Sequence, residues 1–273
     1  MIKKHPDNTN LTSDVFCIVV KGDKVLWLPE MRQFPLLTKK IAKSISATEV
    51  GMFENRLIYY VSEYKVDLSH FAEAAWFSLS DLLLDAPADL FEYAAKAFSF
   101  NYFYQTNKFC GRCGTRMRSI TWEIAKHCDK CHHRCYPRVS PCIIVVITHG
   151  TQILLAKGKR SKTGSYSALA GFIEPGETAE QAVHREVQEE VGVKIKNINY
   201  FGSQAWPFPH NMMLGFTAEY DKGDIVIDTR EIADAKWFEL DTLPKTPGLQ
   251  SIAGKLIEWA VNNKEEKNKA LQV

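Results

Sequence analysis

Residues Gly171 to Val193 read GFIEPGETAEQAVHREVQEEVGV, and the spacing of their apolar and acidic side chains decides how the rest of the chain is understood. Between Ala179 and Val191 the apolar residues Ala182, Val183, Val187 and Val191 recur at helical spacing, and Gly192 is a natural stop after the last turn. On such a helix Glu186, Glu189 and Glu190 stand at i, i+3 and i+4, on one face. Carboxylates stacked in this way repel one another, and an exposed helix gains nothing from them without a counter-charge. A divalent cation supplies it. An all-oxygen ligand set suits a hard ion, Mg2+ or Mn2+, which keeps several waters and shares its other positions with phosphate oxygens. Ahead of the helix, Gly171, Pro175 and Gly176 make a loop able to approach a ligand closely, and Glu177 is placed to pair with Arg185 and tie loop to helix. A solvated acidic face would explain the run from Arg185 to Glu190 alone. It does not explain Gly171, Glu177 and Gly192 at their fixed offsets.

At every fixed position this segment resembles the Nudix box: glycine, five residues, glutamate, seven residues, Arg-Glu, an apolar residue, any residue, Glu-Glu, any residue, glycine, an apolar residue. The resemblance implies hydrolysis of a diphosphate linked to some other moiety. The substrate has to be read from elsewhere in the chain.

At 273 residues the chain exceeds one typical domain. A hydrophobic content of 45% and a charged content of 24% describe an ordinary globular protein. The net charge of +2 makes no general case for binding nucleic acid or anionic membranes. No apolar run reaches the roughly 18 residues that a spanning helix needs. The start, MIKKHPDNTN, lacks an apolar signal core, so the expected location is cytoplasmic with no membrane partner. Seven cysteines are an odd number, and four of them form two close pairs, which in a reducing compartment favours metal over disulfides.

The first hundred or so residues carry no catalytic signature. Val15 to Val20 and Val25 to Leu28, joined by Lys21-Gly22-Asp23-Lys24, predict a hairpin; Leu57 to Val61 predicts a strand, and Phe71 to Phe77 and Asp81 to Ala97 predict helices. The aromatics Phe98, Phe100, Tyr102, Phe103 and Tyr104 are read as core packing in preference to base stacking. The whole is expected to be a small α+β domain with a structural or dimer-supporting role. Cys110 and Cys113 follow, then Cys128 and Cys131, with fourteen residues between the inner pair. Each CxxC turn can present two thiolates to one ion, and two such knuckles close a tetrahedral zinc site with no open position, so the zinc is expected to be structural. His127, His132, His133 and Cys135 lie nearby, but four cysteines suffice. Arg112, Arg116, Arg118, Lys126, Lys130, Arg134 and Arg138 make the segment basic, which fits either a solvated face or contact with an RNA backbone.

Val139 to Thr148 reads as a buried strand, with Cys142 a small hydrophobe within it, and Gln152 to Ala156 as its partner. Lys159, Arg160 and Lys162 with Gly164 form a basic loop, open to phosphate or simply a surface turn. Ile195 to Tyr200 predicts a strand. Then comes Ser203-Gln-Ala-Trp-Pro-Phe-Pro-His-Asn211, whose two prolines predict an extended, rigid loop able to present Trp206 and Phe208 to a planar base. Further strands are expected at Met212 to Tyr220, Ile225 to Ile227 and Ala235 to Leu240, a helix from Ser251 to Val261, and a frayed charged tail.

This last array is similar to SQPWPFPxS, which marks the NADH pyrophosphatase subgroup of Nudix enzymes. That subgroup also carries a four-cysteine zinc ribbon upstream and an extra N-terminal domain, in the order found here. The resemblance covers essentially the whole chain, most specifically residues 110 to 240. Ala205 stands where the array has proline, Asn211 where it has serine, and Cys135 where an aromatic is common. The resemblance implies an α+β architecture: an N-terminal α+β domain over residues 1–106, a zinc ribbon over 107–138, a Nudix α/β/α sandwich with a mixed sheet over 139–262, and a charged tail over 263–273. It implies Mg2+- or Mn2+-dependent hydrolysis of NAD(H) to a nicotinamide mononucleotide and AMP by a homodimer, and bacterial members also remove NAD caps from RNA 5′ ends. It assigns metal binding and catalysis to Glu186, Glu189, Glu190 and Glu231. It places Phe172 against the nicotinamide and Tyr136 and Ala253 along the pocket, Tyr136 across a dimer; Ser203, Gln204, Trp206, Phe208 and Asn211 complete the substrate site. Two other readings stay open: decapping as the main role, and a nucleotide or RNA sensor that has lost hydrolysis.

Overall fold

The computed structural model describes residues 13–45, 47–120, 122–161 and 164–270, so Lys162 of the basic loop and the last three residues of the tail lie outside it. It divides into two compact units, Met1–Arg138 with Pro207–His210, and Val139–Trp206 with Asn211–Val273. No helix among the described residues is long and apolar enough to cross a membrane.

The first unit is built on the strand Asp14–Lys21, whose unbroken apolar run leaves neither face suited to water. It pairs antiparallel with Lys24–Trp27 and Leu36–Thr38 and parallel with Arg56–Ser62. Thr48–Phe53 and Ala75–Ser78 close the two edges of this six-stranded sheet. Phe16, Ile18 and Val20 face one core, shared with Trp27, Phe34, Leu90 and Phe91; Val15, Cys17 and Val19 face a second, with Leu37 and Phe71. Two sequence expectations need correction here. The helix expected over Phe71 to Phe77 is instead a short 3-10 turn, Leu68–Phe71, and the strand Ala75–Ser78, because Trp76 and Phe77 complete a ladder with Lys24–Trp27. The helix expected from Asp81 to Ala97 is two helices, Leu79–Asp85 and Ala88–Thr106. Pro87 separates them, since a residue before proline is crowded out of helical conformation.

Within the same unit Arg118–Ser119, Lys126–His127 and Arg134–Cys135 form a small three-stranded sheet. Its interior is little more than Cys110, Met117 and Cys128, and so small a core needs another source of stability.

The second unit is a mixed six-stranded sheet between helices. Its central strand, Ser140–His149, runs parallel to Asn211–Lys222, in register from Ser140 against Asn211 to Thr148 against Glu219. It also pairs antiparallel with Gln152–Gly158 and with Leu169–Phe172, a strand the sequence did not predict. Lys194–Trp206 and Ile232–Glu239 form the edges. Ile143, Val145 and Ile147 meet Ala182, Val183 and Val187 of the helix Ala179–Val191 on one face. Ile144 and Val146 meet Ile252, Leu256 and Ile257 of the helix Ile252–Ala270 on the other. The α/β/α sandwich follows from a central strand that is apolar on both sides.

Two further expectations are corrected in this unit. Ser203 to Asn211 is not an extended loop: Ser203 to Trp206 continues the edge strand, paired with Asn211 to Leu214, and only Pro207 to His210 turn. The prolines sit in that turn, where a missing N–H removes no ladder bond. Ile225 to Ile227 is not a strand; Val226 donates its N–H to the Val191 carbonyl at the end of the helix (2.9 Å), while Ile225 and Ile227 pack beneath it.

Candidate active site

The helix Ala179–Val191 begins with a reciprocal cap. Thr178 Oγ1 accepts from the Gln181 N–H (3.2 Å), and Gln181 Oε1 accepts from the Thr178 N–H (2.8 Å). It ends at Gly192, in left-handed conformation with φ of 76°. These two stops fix which turn carries the acidic residues.

Arg185 organises the turn. Its Nε and Nη2 donate to the two oxygens of Glu177 (2.8 and 2.9 Å), its Nη1 to Glu186 Oε1 (2.9 Å) and Glu189 Oε2 (3.0 Å), and its Nη2 also to the Phe172 carbonyl (2.8 Å). The predicted pairing of Glu177 with Arg185 is therefore present, and it is one arm of a wider network. Arg185, helped by the Glu174 N–H, holds the Glu177 carboxyl down to about 2. Glu186 and Glu189 each keep a second oxygen that Arg185 does not use.

Gly171 explains its own place in the motif. A Cβ on it would stand 1.9 Å from Glu186 Cδ and 2.1 and 2.2 Å from its oxygens, so only glycine leaves room for that carboxylate. Burial raises the pKa of Glu186 against the opposing pull of Arg185. Cys142 lies on the adjoining strand, and burial, then the Glu186 charge, pushes its thiol up to about 11. It is the small buried residue the sequence suggested.

Glu190 is 8% exposed, and its Oε2 has no hydrogen-bond partner. Burial first, then the charges of Glu186, Glu231, Asp228 and Glu189, push its pKa up to about 8. A buried carboxylate oxygen facing other carboxylates is costly unless a proton or a cation joins it. The donors are all oxygens, and a hard divalent cation fits them. In this geometry the carboxylates do not yet converge: among the described residues only the four cysteines bring three or more ligand atoms within 4.8 Å of one another.

Sequence reasoning missed Asp228 and Arg230. Arg230 holds the Asp228 carboxyl down to about 2, and the Asp228 N–H donates to the Glu190 carbonyl (3.0 Å), fixing the turn that carries Glu231 beside the helix. The Lys159 N–H donates to the Glu231 carbonyl (2.8 Å), so the basic loop supports this turn through its backbone. The only sequence signal was an Asp three residues before Glu231, too short a pattern to separate from an ordinary turn.

The four ribbon cysteines are as the spacing required. Cys110 Sγ lies 3.6 Å from Cys131 Sγ, and Cys113 Sγ 3.5 Å from Cys128 Sγ. Tetrahedral zinc with bonds of about 2.3 Å sets sulfurs roughly 3.8 Å apart, so the cluster fits the ion with little adjustment.

Residues 137–260 match the NUDIX domain profile, and residues 105–136 match the NADH pyrophosphatase zinc ribbon domain. A protein named NAD-capped RNA hydrolase NudC from Pseudomonas syringae pv. syringae is 48% identical over 210 residues, 77% of this chain and 74% of that one. The chain is a zinc-ribbon Nudix hydrolase. Proteins of the same name are 50% identical in Pseudomonas putida, over 68% of both chains, and 47% identical in Chromobacterium violaceum, over 68% of this chain and 70% of that one. A crystallised Nudix hydrolase from Nitrosomonas europaea shares the fold of this Nudix hydrolase: TM-score 0.51, 20% identity, 58% of this chain and 93% of that one.

The substrate residues inferred from sequence in this Nudix hydrolase divide between the units. Phe172, 55% exposed, and Ser203, Trp206 and Asn211 lie in the second. Gln204 there is engaged: its Nε2 donates to the Gln250 carbonyl (2.8 Å) and its Oε1 accepts from the Ile252 N–H (2.6 Å), which holds the start of the last helix. Ala253 is buried in the core beneath that helix. Phe208 packs against the first unit's core, and Tyr136, half-exposed, also belongs to that unit, its hydroxyl 3.4 Å from Glu123.

Proposed function

We propose that this Nudix hydrolase cleaves the pyrophosphate of NAD(H), giving a nicotinamide mononucleotide and AMP, and that it removes NAD caps from RNA 5′ ends. The observation that carries the reading is Glu190: a buried, unpartnered carboxylate oxygen beside Glu186, Glu189 and Glu231, on the box helix of a chain whose relatives are named for NAD-capped RNA. When bound, Mg2+ or Mn2+ would offset the diphosphate charge and make water a stronger acid. Glu186, Glu189, Glu190 and Glu231 are the residues to hold it. Glu190 Oε2 accepts the proton of the attacking water as the new P–O bond forms and the bridging P–O bond breaks. Arg185 keeps Glu186 and Glu189 in place through the step. Phe172, exposed beside the box, is the surface for the nicotinamide ring. Tyr136 completes the pocket from the second copy of a homodimer, and the enzyme works in the cytoplasm.

Glu190→Gln should keep the fold and lose Mg2+-dependent AMP release; undiminished turnover would refute the assignment. Products from NADH, ADP-ribose and NAD-capped RNA, offered side by side under Mg2+ and Mn2+, rank the substrates. The relatives' name favours the decapping role, and a competition in which free NADH outruns NAD-capped RNA would oppose it.

A further inference from the structure

The four glutamates assigned to the cation are not aimed in the same way. Arg185 holds Glu186 and Glu189 by their side chains, and Glu190 is walled in by burial. Glu231 is exposed, and among the described residues no side chain hydrogen-bonds its carboxylate. Its direction therefore rests on its backbone.

That backbone is tied down chiefly by Asp228, which engages every polar group it has. Its N–H donates to the Glu190 carbonyl (3.0 Å), one of the terminal carbonyls of the box helix that no helical N–H can reach. Its own carbonyl accepts from the N–H groups of Glu231 (3.1 Å) and Ile232 (2.9 Å). Its carboxylate accepts from the Arg230 N–H (2.8 Å), the turn an aspartate makes with the backbone two residues on. The Arg230 guanidinium then closes over the same carboxylate, Nε at 3.0 Å from each oxygen and Nη2 at 2.6 Å from Oδ2. Asp228 thus joins the turn that carries Glu231 to the helix at Glu190, the residue whose Oε2 lacks a partner. The far side of the turn is held by the sheet, where Lys159 donates its N–H to the Glu231 carbonyl (2.8 Å) and Ile232 stands against Gly158 at a shift of register. The ion pair adds little to folding, because Arg230 is 87% exposed and water screens it. Its hydrogen bonds do more for the direction of residue 231 than for the stability of the fold.

We propose that Asp228, locked by Arg230, is a positioning residue for the divalent cation: it sets the Glu231 carboxylate beside that of Glu190 and so fixes how tightly the site takes the ion. The inference rests on the cation-binding part of the proposed function and is independent of which dinucleotide is cleaved.

The test uses the full-length, zinc-loaded protein with Mn2+ alone as the probe, the free ion being read by electron paramagnetic resonance. Asp228→Ala should raise the Mn2+ dissociation constant about 10–100-fold, the usual loss when a group that orients a metal ligand is removed. Asp228→Asn, whose side-chain oxygen can still accept from the Arg230 N–H, should recover most of that affinity. Arg230→Ala should lose part of it with an unchanged melting temperature, and Arg230→Lys should regain it. With NADH as substrate, the Mg2+ concentration for half-maximal rate should rise in Asp228→Ala while kcat at saturating Mg2+ stays near wild type, a split that general unfolding does not produce. Unaltered Mn2+ affinity in Asp228→Ala would overturn the proposal. Equal losses in Asp228→Asn and Asp228→Ala would overturn it too, since the carboxylate's charge would then be acting as a ligand in its own right. A wild type that binds Mn2+ but hydrolyses no dinucleotide would sink the substrate reading and leave the positioning result standing.

Discussion

At the scale of single residues, the site is shaped by one position that has no side chain and one whose carboxylate has no partner. Gly171 yields its Cβ volume to the Glu186 carboxylate. Because that carboxylate is the far end of a flexible side chain, Gly171→Ala should leave the fold intact and displace the Glu186 carboxylate. We expect kcat to fall about 10²-fold with an unchanged circular dichroism spectrum, as misplacement by an ångström commonly costs. Glu190 makes a prediction about pH. Its pKa rises from 4.5 in the unfolded chain to about 8 in the fold, so between those values the native state keeps a proton that the unfolded state has lost. Without added divalent cation, its contribution makes the folded state weaker as pH climbs from about 4.5 to about 8. Glu190→Gln should flatten that part of a melting-temperature profile; an identical slope in both proteins would remove Glu190 from the account. Glu177 has the opposite sign. Held down to about 2, it adds stability above its ordinary range that disappears as pH falls toward 2, so Glu177→Gln should destabilise at neutral pH and converge on wild type in acid.

At the scale of elements, the box helix agrees with its sequence because everything that defines it is local. Cap, apolar stripe, acidic face and terminal glycine all lie within Thr178–Gly192, and the observed helix spans the predicted Ala179–Val191. Thr178→Ala should cost about 1 kcal/mol in denaturant unfolding, the usual worth of an N-cap hydroxyl. The strands agree less well. Ala75–Ser78 reads as helical from its own residues and is a strand because Lys24–Trp27 offers it an edge. Ser203 to Trp206 reads as loop because of the prolines that follow, yet pairing with Asn211 to Leu214 holds it in the sheet. Gln204 illustrates the limit at a candidate site residue: the motif marks it for substrate, while the structure has it gripping the backbone on both sides of Ser251.

At the scale of the whole molecule, the chain is thinnest at the ribbon, where a cluster of four cysteines stands in place of an extended core. The ribbon has almost no apolar interior of its own, and zinc held by its four cysteines would supply the missing folding energy; structural zinc is worth about 10–16 kcal/mol in small domains. Cys128→Ser in the full chain should release zinc and open residues 105–136 to protease, and added Mg2+ should not restore protection. What the sequence alone determined were the Nudix box and the ribbon ligand set, because residue spacing along one helix or one knuckle is imposed by covalent geometry. Only the tertiary structure decided that Ser140 runs in register with Asn211, that Pro207–His210 cluster with the first unit, and that Asp228 and Glu231 come beside Glu190. Those juxtapositions join segments far apart in the chain, and their free energy comes from burial and sheet pairing, which no short pattern records.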